Sequence, residues 1–291
     1  MKNFWIVPNY SKPQTTGCAG RIRQTLTKAG AACEITPALQ GEDACRAGAG
    51  DIPADTECVI VLGGDGTLIK AFRDLALAGR DLPVIGVNLG HIGYLAETDE
   101  AHVDEMCACL LEDRYYIENR MRIAGTVFRG GAQIYQGEAL NDIILTRRET
   151  MKMVYFSLEV DGMYLSSYAA DGMITATPTG STAYNLSAGG PIILPKSRMM
   201  VLTPICPHTM SNARSIVIPA DSVVEMKVER RSGESGNGSA CVNFDAGVSI
   251  PLLPGDRLQI CRAEVPARMI RIRETGFLET LRKKLDIQTG R

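Results

Sequence analysis

The segment from Cys58 to Leu62, CVIVL, is apolar at every position and runs straight into Gly63-Gly64-Asp65-Gly66-Thr67. A strand with one wet face alternates apolar and polar residues. One that is apolar throughout has both faces covered, which for a short segment means a parallel sheet with helices on either side. The glycine pair ends the strand, and apolar residues at helical spacing from Thr67 onward open an amphipathic helix. Upstream, FWIVPN at 4–9 precedes a helical pattern from about Gln14 to Ala31, and downstream LPVIGVNLG follows at 82–90. The order is therefore βαβα. A further helical pattern from about Glu100 to Glu112 closes this α/β unit near Tyr115.

From Arg122 the period changes. IAGTVFR, Gly130-Gly131 and AQIYQ read as two strands around a two-residue glycine turn, and VYFSLEV, Asp161-Gly162 and MYLSSYAADGMITAT repeat the device. SIVIP, VVEMKVER, SACVNF, RLQICR and RMIRIR continue as short β-like runs, with SGESGNGS at 232–239 as an exposed hairpin tip. The closing segment Phe277 to Leu285 has helical spacing. The predicted architecture is an α/β N-terminal domain with a parallel sheet over 1–118, completed by 276–291, and a mainly β, sandwich-like C-terminal domain over 119–275. The length of 291 residues agrees with two domains.

Charge narrows the function classes. Lys and Arg number 31 against 33 Asp and Glu, a net charge of −2, which argues against a nucleic-acid binder. Residues 1–120 carry 11 basic and 17 acidic side chains, so the slight excess of cations lies in the second half, a polarity that fits small anionic ligands at most. Nine scattered cysteines without a Cys-x-x-Cys pair, and three histidines, make neither a disulfide framework nor a zinc site. No apolar run reaches membrane-spanning length, and a cytoplasmic protein is expected.

Two segments carry chemistry. A parallel strand that stops at a glycine turn and feeds a helix presents free N–H groups and the positive end of the helix dipole to phosphate. Asp65 is an odd residue for a simple anion cradle. A carboxylate there holds a metal, orients a ribose hydroxyl or takes a proton from one, unless it only caps the helix. The turn lacks both the P-loop and the dinucleotide Gly-x-Gly-x-x-Gly patterns. The second segment, DGMITATPTGSTAYNLSAGGP at 171–191, ends a β-like run at Pro178 and passes through a small-residue turn into a short helix, so that a flat ring or a phosphate can approach its backbone closely.

Together with NLGHIGYLAE at 88–97, LND at 140–142 and PICPHTMSNARSIVIP at 204–219, these segments resemble the ordered motif set of the NAD kinases. The GGDG turn alone is also similar to that of diacylglycerol kinases, sphingosine kinases and phosphofructokinases. The resemblance implies phosphorylation of the adenosine-ribose 2′-hydroxyl of NAD by ATP or polyphosphate with a divalent cation, Mg²⁺ above all, carried by nucleotide phosphates and not by a dedicated protein site. It implies Asp65 as the catalytic group at the acceptor hydroxyl. It implies NAD contacts at Gly64, Asp65, Gly66, Tyr94, Asn141, Asp142, Asp171, Thr182, Ala183, Tyr184 and Ser187, with Tyr94 against adenine. Gly63, Thr67, His91 and Asp245 are the positions it offers for phosphate or ATP. Three departures stand out. Asp142 replaces the usual Glu, His91 replaces a frequent Arg, and Asn243-Phe244-Asp245-Ala246-Gly247 stands where the family has Asp-Gly-Gln. Members are commonly homodimers or homotetramers, which is the assembly expected of this chain, with no nucleic-acid or membrane partner. Two alternatives remain: a lipid kinase sharing GGDG, and a non-catalytic NAD-binding regulator.

Overall fold

The computed structural model describes residues 1–37, 52–90, 93–149, 152–208, 214–230, 240–273 and 277–288. His91, Cys45 and the expected hairpin tip at 232–239 lie outside them. The chain forms two compact units, Met1–Asn119 with Ala267–Arg291, and Arg120–Pro266.

The first unit begins with β1 (Asn3–Pro8), α1 (Thr15–Lys28), β2 (Ala32–Ile35), β3 (Cys58–Gly63), α2 (Asp65–Leu77), β4 (Val84–Asn88), the short β5 (Thr98–Asp99), α3 (Val103–Leu111) and β6 (Tyr116–Arg120). The expected helical pattern near 100–112 is thus a 3-10 turn at Glu100–His102 followed by α3. All six residues of β3 are buried, as continuous apolar character requires. Phe4, Ile6, Ile60, Leu62, Ile85 and Val87 from the strands pack with Ile22 and Leu26 of α1 and Met106 and Leu110 of α3.

The second unit is β-rich. It contains β7 (Ile123–Arg129), β8 (Ala132–Ala139), β9 (Asp142–Arg147), β10 (Val154–Val160), β11 (Met163–Ala170), β12 (Gly172–Ala176), α4 (Tyr184–Ser187), β13 (Met199–Ile205), β14 (Ile216–Pro219), β15 (Val224–Val228), β16 (Ala240–Phe244), β17 (Val248–Leu252) and β18 (Arg257–Arg262). Two six-stranded sheets result, ordered β11-β10-β15-β18-β7-β8 and β14-β13-β12-β9-β16-β17. Phe156, Leu158, Met226 and Leu258 from one sheet share a core with Leu145, Met173, Leu202 and Phe244 from the other, which makes a sandwich. Both glycine-containing turns have left-handed backbone at each central residue, at Gly130 (φ 57°) and Gly131 (84°) and at Asp161 (54°) and Gly162 (76°). That geometry matches the twist of a two-residue hairpin.

Two sequence readings change. MYLSSYAADGMITAT is two strands, not one. The Asp171 N–H donates to the Ile205 carbonyl at 2.9 Å, and a Cβ on Gly172 would lie 2.2 Å from the Leu145 carbonyl oxygen, so the chain changes sheet where only glycine fits. The return to the first unit comes at Ala267, ahead of the expected 276. RMIRIR overlaps β19 (Ala267–Arg271), which joins the first sheet in the order β2-β1-β3-β4-β19-β6 and runs parallel to β4. The buried Arg271 makes this insertion specific: its guanidinium pairs with Glu97 at 3.1 Å and Glu118 at 2.7 Å, and the second Glu97 oxygen accepts the Ile272 and Arg273 N–H groups at 3.0 and 2.9 Å. A last helix, α5 (Phe277–Gln288), completes the unit.

Candidate active site

In the first unit β3 ends at Gly63, Gly64 is the N-cap and Asp65 is the first residue of α2. A Cβ on Gly63 would lie 2.4 Å from the Thr67 hydroxyl oxygen, so glycine lets the helix start directly over the strand end. Thr67 is buried and its hydroxyl accepts the Asn9 side-chain amide at 3.1 Å, which ties the turn to the loop after β1. Around Gly64 and Gly66 there is open space.

Asp65 is not a helix cap. Its Oδ2 accepts the Tyr94 N–H at 2.7 Å and its Oδ1 the Leu95 N–H at 3.1 Å, and a Cβ on Gly93 would lie 2.0 Å from Oδ1. Two main-chain donors therefore fix a carboxylate at the carboxyl end of a parallel strand, where ligands of open α/β sheets bind. The Tyr94 ring sits 5.8 Å from Phe277 with the Lys284 ammonium 4.0 Å over its face, both on α5. Burial, and secondarily the Asp65 charge, push its phenol above the ordinary tyrosine range. One cation escaped the sequence reading. Lys12 Nζ donates to the Leu89 carbonyl at 3.4 Å, and a Cβ on Gly90 would lie 3.0 Å from it. The signal was available in its position, just beyond the carboxyl end of β1.

In the second unit the turn Leu140-Asn141-Asp142 faces the turn after β12. The Thr177 N–H donates to the Asn141 carbonyl at 2.8 Å, and the Thr177 hydroxyl to that of Leu140 at 2.6 Å. A Cβ on Gly180 would lie 2.0 Å from the Asn141 carbonyl oxygen, which explains the glycine. Ser181 and Asn185 hold the rest of this turn from within. The Ser181 hydroxyl accepts the Ile193 N–H at 2.9 Å, and the Asn185 amide donates to the Ser181 and Pro191 carbonyls at 3.0 and 3.1 Å. Thr182 and Ala183 are left half-buried, with Tyr184 and Ser187 exposed on α4.

Asp142 is buried, and its carboxyl is pushed up to about 7, first by loss of hydration and then by the charge of Asp245. Asp245 itself accepts the N–H groups of Leu140, Asn141 and Asp142 at 2.7, 2.8 and 3.1 Å. Asp171 is placed apart from these residues. It lies at the other end of β12, roughly 20 Å from Thr177 at the rise of an extended strand, and pairs with Arg147 at 3.2 Å.

The sequence matches the family model described as the ATP-NAD kinase N-terminal domain over residues 6–115 and that of the ATP-NAD kinase C-terminal domain over residues 140–272. The chain belongs to the ATP-NAD kinase family. Among relatives of this kinase, a protein named NAD kinase from Lachnospira eligens is 41% identical over 98% of this chain and 100% of its own. Another from Desulforamulus reducens is 43% identical over 81% of this chain and 79% of its own. Among solved structures, yeast NADH kinase complexed with NADH superposes with TM-score 0.86 at 22% identity, covering 98% of this chain and 87% of that one. An NAD kinase from Archaeoglobus fulgidus in complex with ATP gives 0.73 at 24%, covering 98% of each. These likenesses establish that the kinase shares their fold, an α/β unit with a parallel sheet and a unit of antiparallel sheets.

Proposed function

We propose that this member of the ATP-NAD kinase family transfers the γ-phosphoryl group of ATP to the 2′-hydroxyl of the adenosine ribose of NAD, giving NADP and ADP. The family match through both units carries the reading. The acceptor oxygen forms its bond to phosphorus as the bond to the β-phosphate oxygen breaks, and Asp65 orients that hydroxyl and receives its proton. Such a transfer needs in-line positioning and charge neutralisation more than covalent help. Gly64 and Gly66 offer open backbone to phosphate beyond the packed Gly63, and Lys12 supplies a cation near that turn. Asn141 and Asp142 meet the riboses, while Thr182, Ala183, Tyr184 and Ser187 line the nucleotide pocket.

A divalent cation fits this donor set as a passenger on the nucleotide. Mg²⁺ takes hard oxygen ligands and keeps several waters, and the Asp65 carboxylate beside a phosphate-binding turn would offer it one protein oxygen. When bound it neutralises charge on the transferring group. Polyphosphate is the other donor such a site accepts. A lipid kinase is disfavoured, because the TPTGST turn is small and polar and offers no apolar entry surface.

We further place the enzyme in the cytoplasm as a homodimer or homotetramer. Support for assembly is the edge strand β11, which exposes Met163, Tyr164 and Leu165. No helix among the described residues is long and apolar enough to cross a membrane. Incubating the protein with NAD, ATP and Mg²⁺ and identifying the product by chromatography tests the activity. NADP should form in step with ADP; NAD binding with no NADP from ATP, polyphosphate or other nucleoside triphosphates would instead mark a regulator.

A further inference from the structure

The hairpin between β16 and β17 turns through Asp245 and Ala246, both in the left-handed region at φ 48° and 53°. The Asp245 side chain turns toward Leu140-Asn141-Asp142. Its Oδ2 takes the N–H of Leu140 and its Oδ1 those of Asn141 and Asp142, while the N–H of Asp245 donates to the Asp142 carbonyl at 3.1 Å. The remaining two carbonyls, of Leu140 and Asn141, accept from Thr177. All six main-chain polar groups of the turn are thus held by two residues, Asp245 and Thr177. Three successive amides converging on an anion form the kind of concavity that elsewhere holds a phosphate. In this turn the anion is a side chain.

We infer that Asp245 is a positioning residue for the dinucleotide: it fixes the Leu140–Asp142 turn so that the Asn141 and Asp142 side chains are presented to NAD, and it takes no phosphate itself. The phosphate role offered by the resemblance conflicts with the geometry, since a phosphate beside the Asp245 carboxylate would be repelled by its charge. A charged acceptor suits the task because hydrogen bonds to a carboxylate are about twice as strong as neutral ones. The inference rests on the reading that Asn141 and Asp142 contact NAD.

The test is Asp245→Asn measured beside Asn141→Ala in the full-length enzyme, with KM for NAD, KM for ATP, kcat and the thermal midpoint read for each. Asparagine tolerates left-handed backbone, so the hairpin is kept, but its amide nitrogen turns a donor toward donors. Asp245→Asn should raise KM for NAD about tenfold or more while KM for ATP moves less than about twofold. Asp245→Glu, which keeps the charge but displaces it by one methylene, should move KM for NAD in the same direction and serves if the asparagine variant does not fold. An unchanged KM for NAD in the Asp245 variants while Asn141→Ala raises it overturns the inference, as does a lowered thermal midpoint with both KM values unchanged. A selective rise in KM for ATP overturns it in favour of a phosphate contact. If Asn141→Ala leaves NAD binding untouched as well, the assignment of the turn to NAD fails.

Discussion

Burial and the neighbouring Asp245 charge raise the Asp142 carboxyl to about 7 in the folded protein, whereas in the unfolded chain it ionises near its ordinary value of about 4. Between these values the folded state holds a proton that the unfolded state has released, so stability falls as pH rises from about 4 to about 7 and levels off above. Asp142→Asn should remove that slope and stabilise the ligand-free protein above pH 7, by no more than about 4 kcal/mol. Urea unfolding of both proteins at pH 4, 6 and 8 checks the sign. A stabilising effect that is equal at pH 4 and pH 8 would contradict an origin in the buried charge. The same variant should bind NAD more weakly, because a ribose hydroxyl bonds a neutral amide oxygen less strongly than a carboxylate.

At the scale of elements, glycines set the geometry at which strands hand over to turns. Gly93→Ala places a methyl 2.0 Å from the Asp65 carboxylate oxygen, and the carboxylate must move. Misplacement of about 1 Å at a reacting centre can cost a factor of about 100, so kcat should fall by about 10- to 100-fold with KM for NAD little changed. Gly180→Ala drives a methyl against the Asn141 carbonyl oxygen, a main-chain atom that cannot swing aside. It should cost about 1–3 kcal/mol of stability in chemical denaturation and raise KM for NAD. These glycines were legible in the sequence as turn residues. The neighbours that make them necessary were not, because Gly93 meets Asp65 and Gly180 meets Asn141 through contacts distant in sequence. CVIVLGGDGT declared its strand, turn and helix because burial, chain reversal and amphipathic period are all local. The role of Asp245 stayed hidden for the opposite reason: three amides more than a hundred positions away define it. The neighbours of Tyr94 were hidden in the same way, since its position in the motif says nothing of Phe277 and Lys284.

Across the whole molecule, the chain closes its first sheet only after completing the second unit, and Arg271 secures that closure. Its pairing with Glu97 and Glu118 is almost fully shielded from water. Arg271→Leu would leave two carboxylates buried without their partner, and a loss of about 3–5 kcal/mol is expected in urea unfolding. A change below about 1 kcal/mol would mean that apolar packing alone holds β19 in place. RMIRIR was recognisable as a strand but its sheet was not, because an arginine inside a buried strand is explained only by the glutamates that meet it. Everything proposed for turnover depends on Asp65 serving the reacting hydroxyl of NAD. Steady-state NADP formation in the wild type and in Asp65→Asn, with NAD affinity measured by calorimetry on the same samples, decides whether it does. A group that holds and deprotonates the acceptor should show a fall in kcat of about 100-fold or more on this substitution, with NAD affinity changed only a few-fold. Turnover retained within a factor of a few, or a loss confined to NAD affinity, would contradict that role.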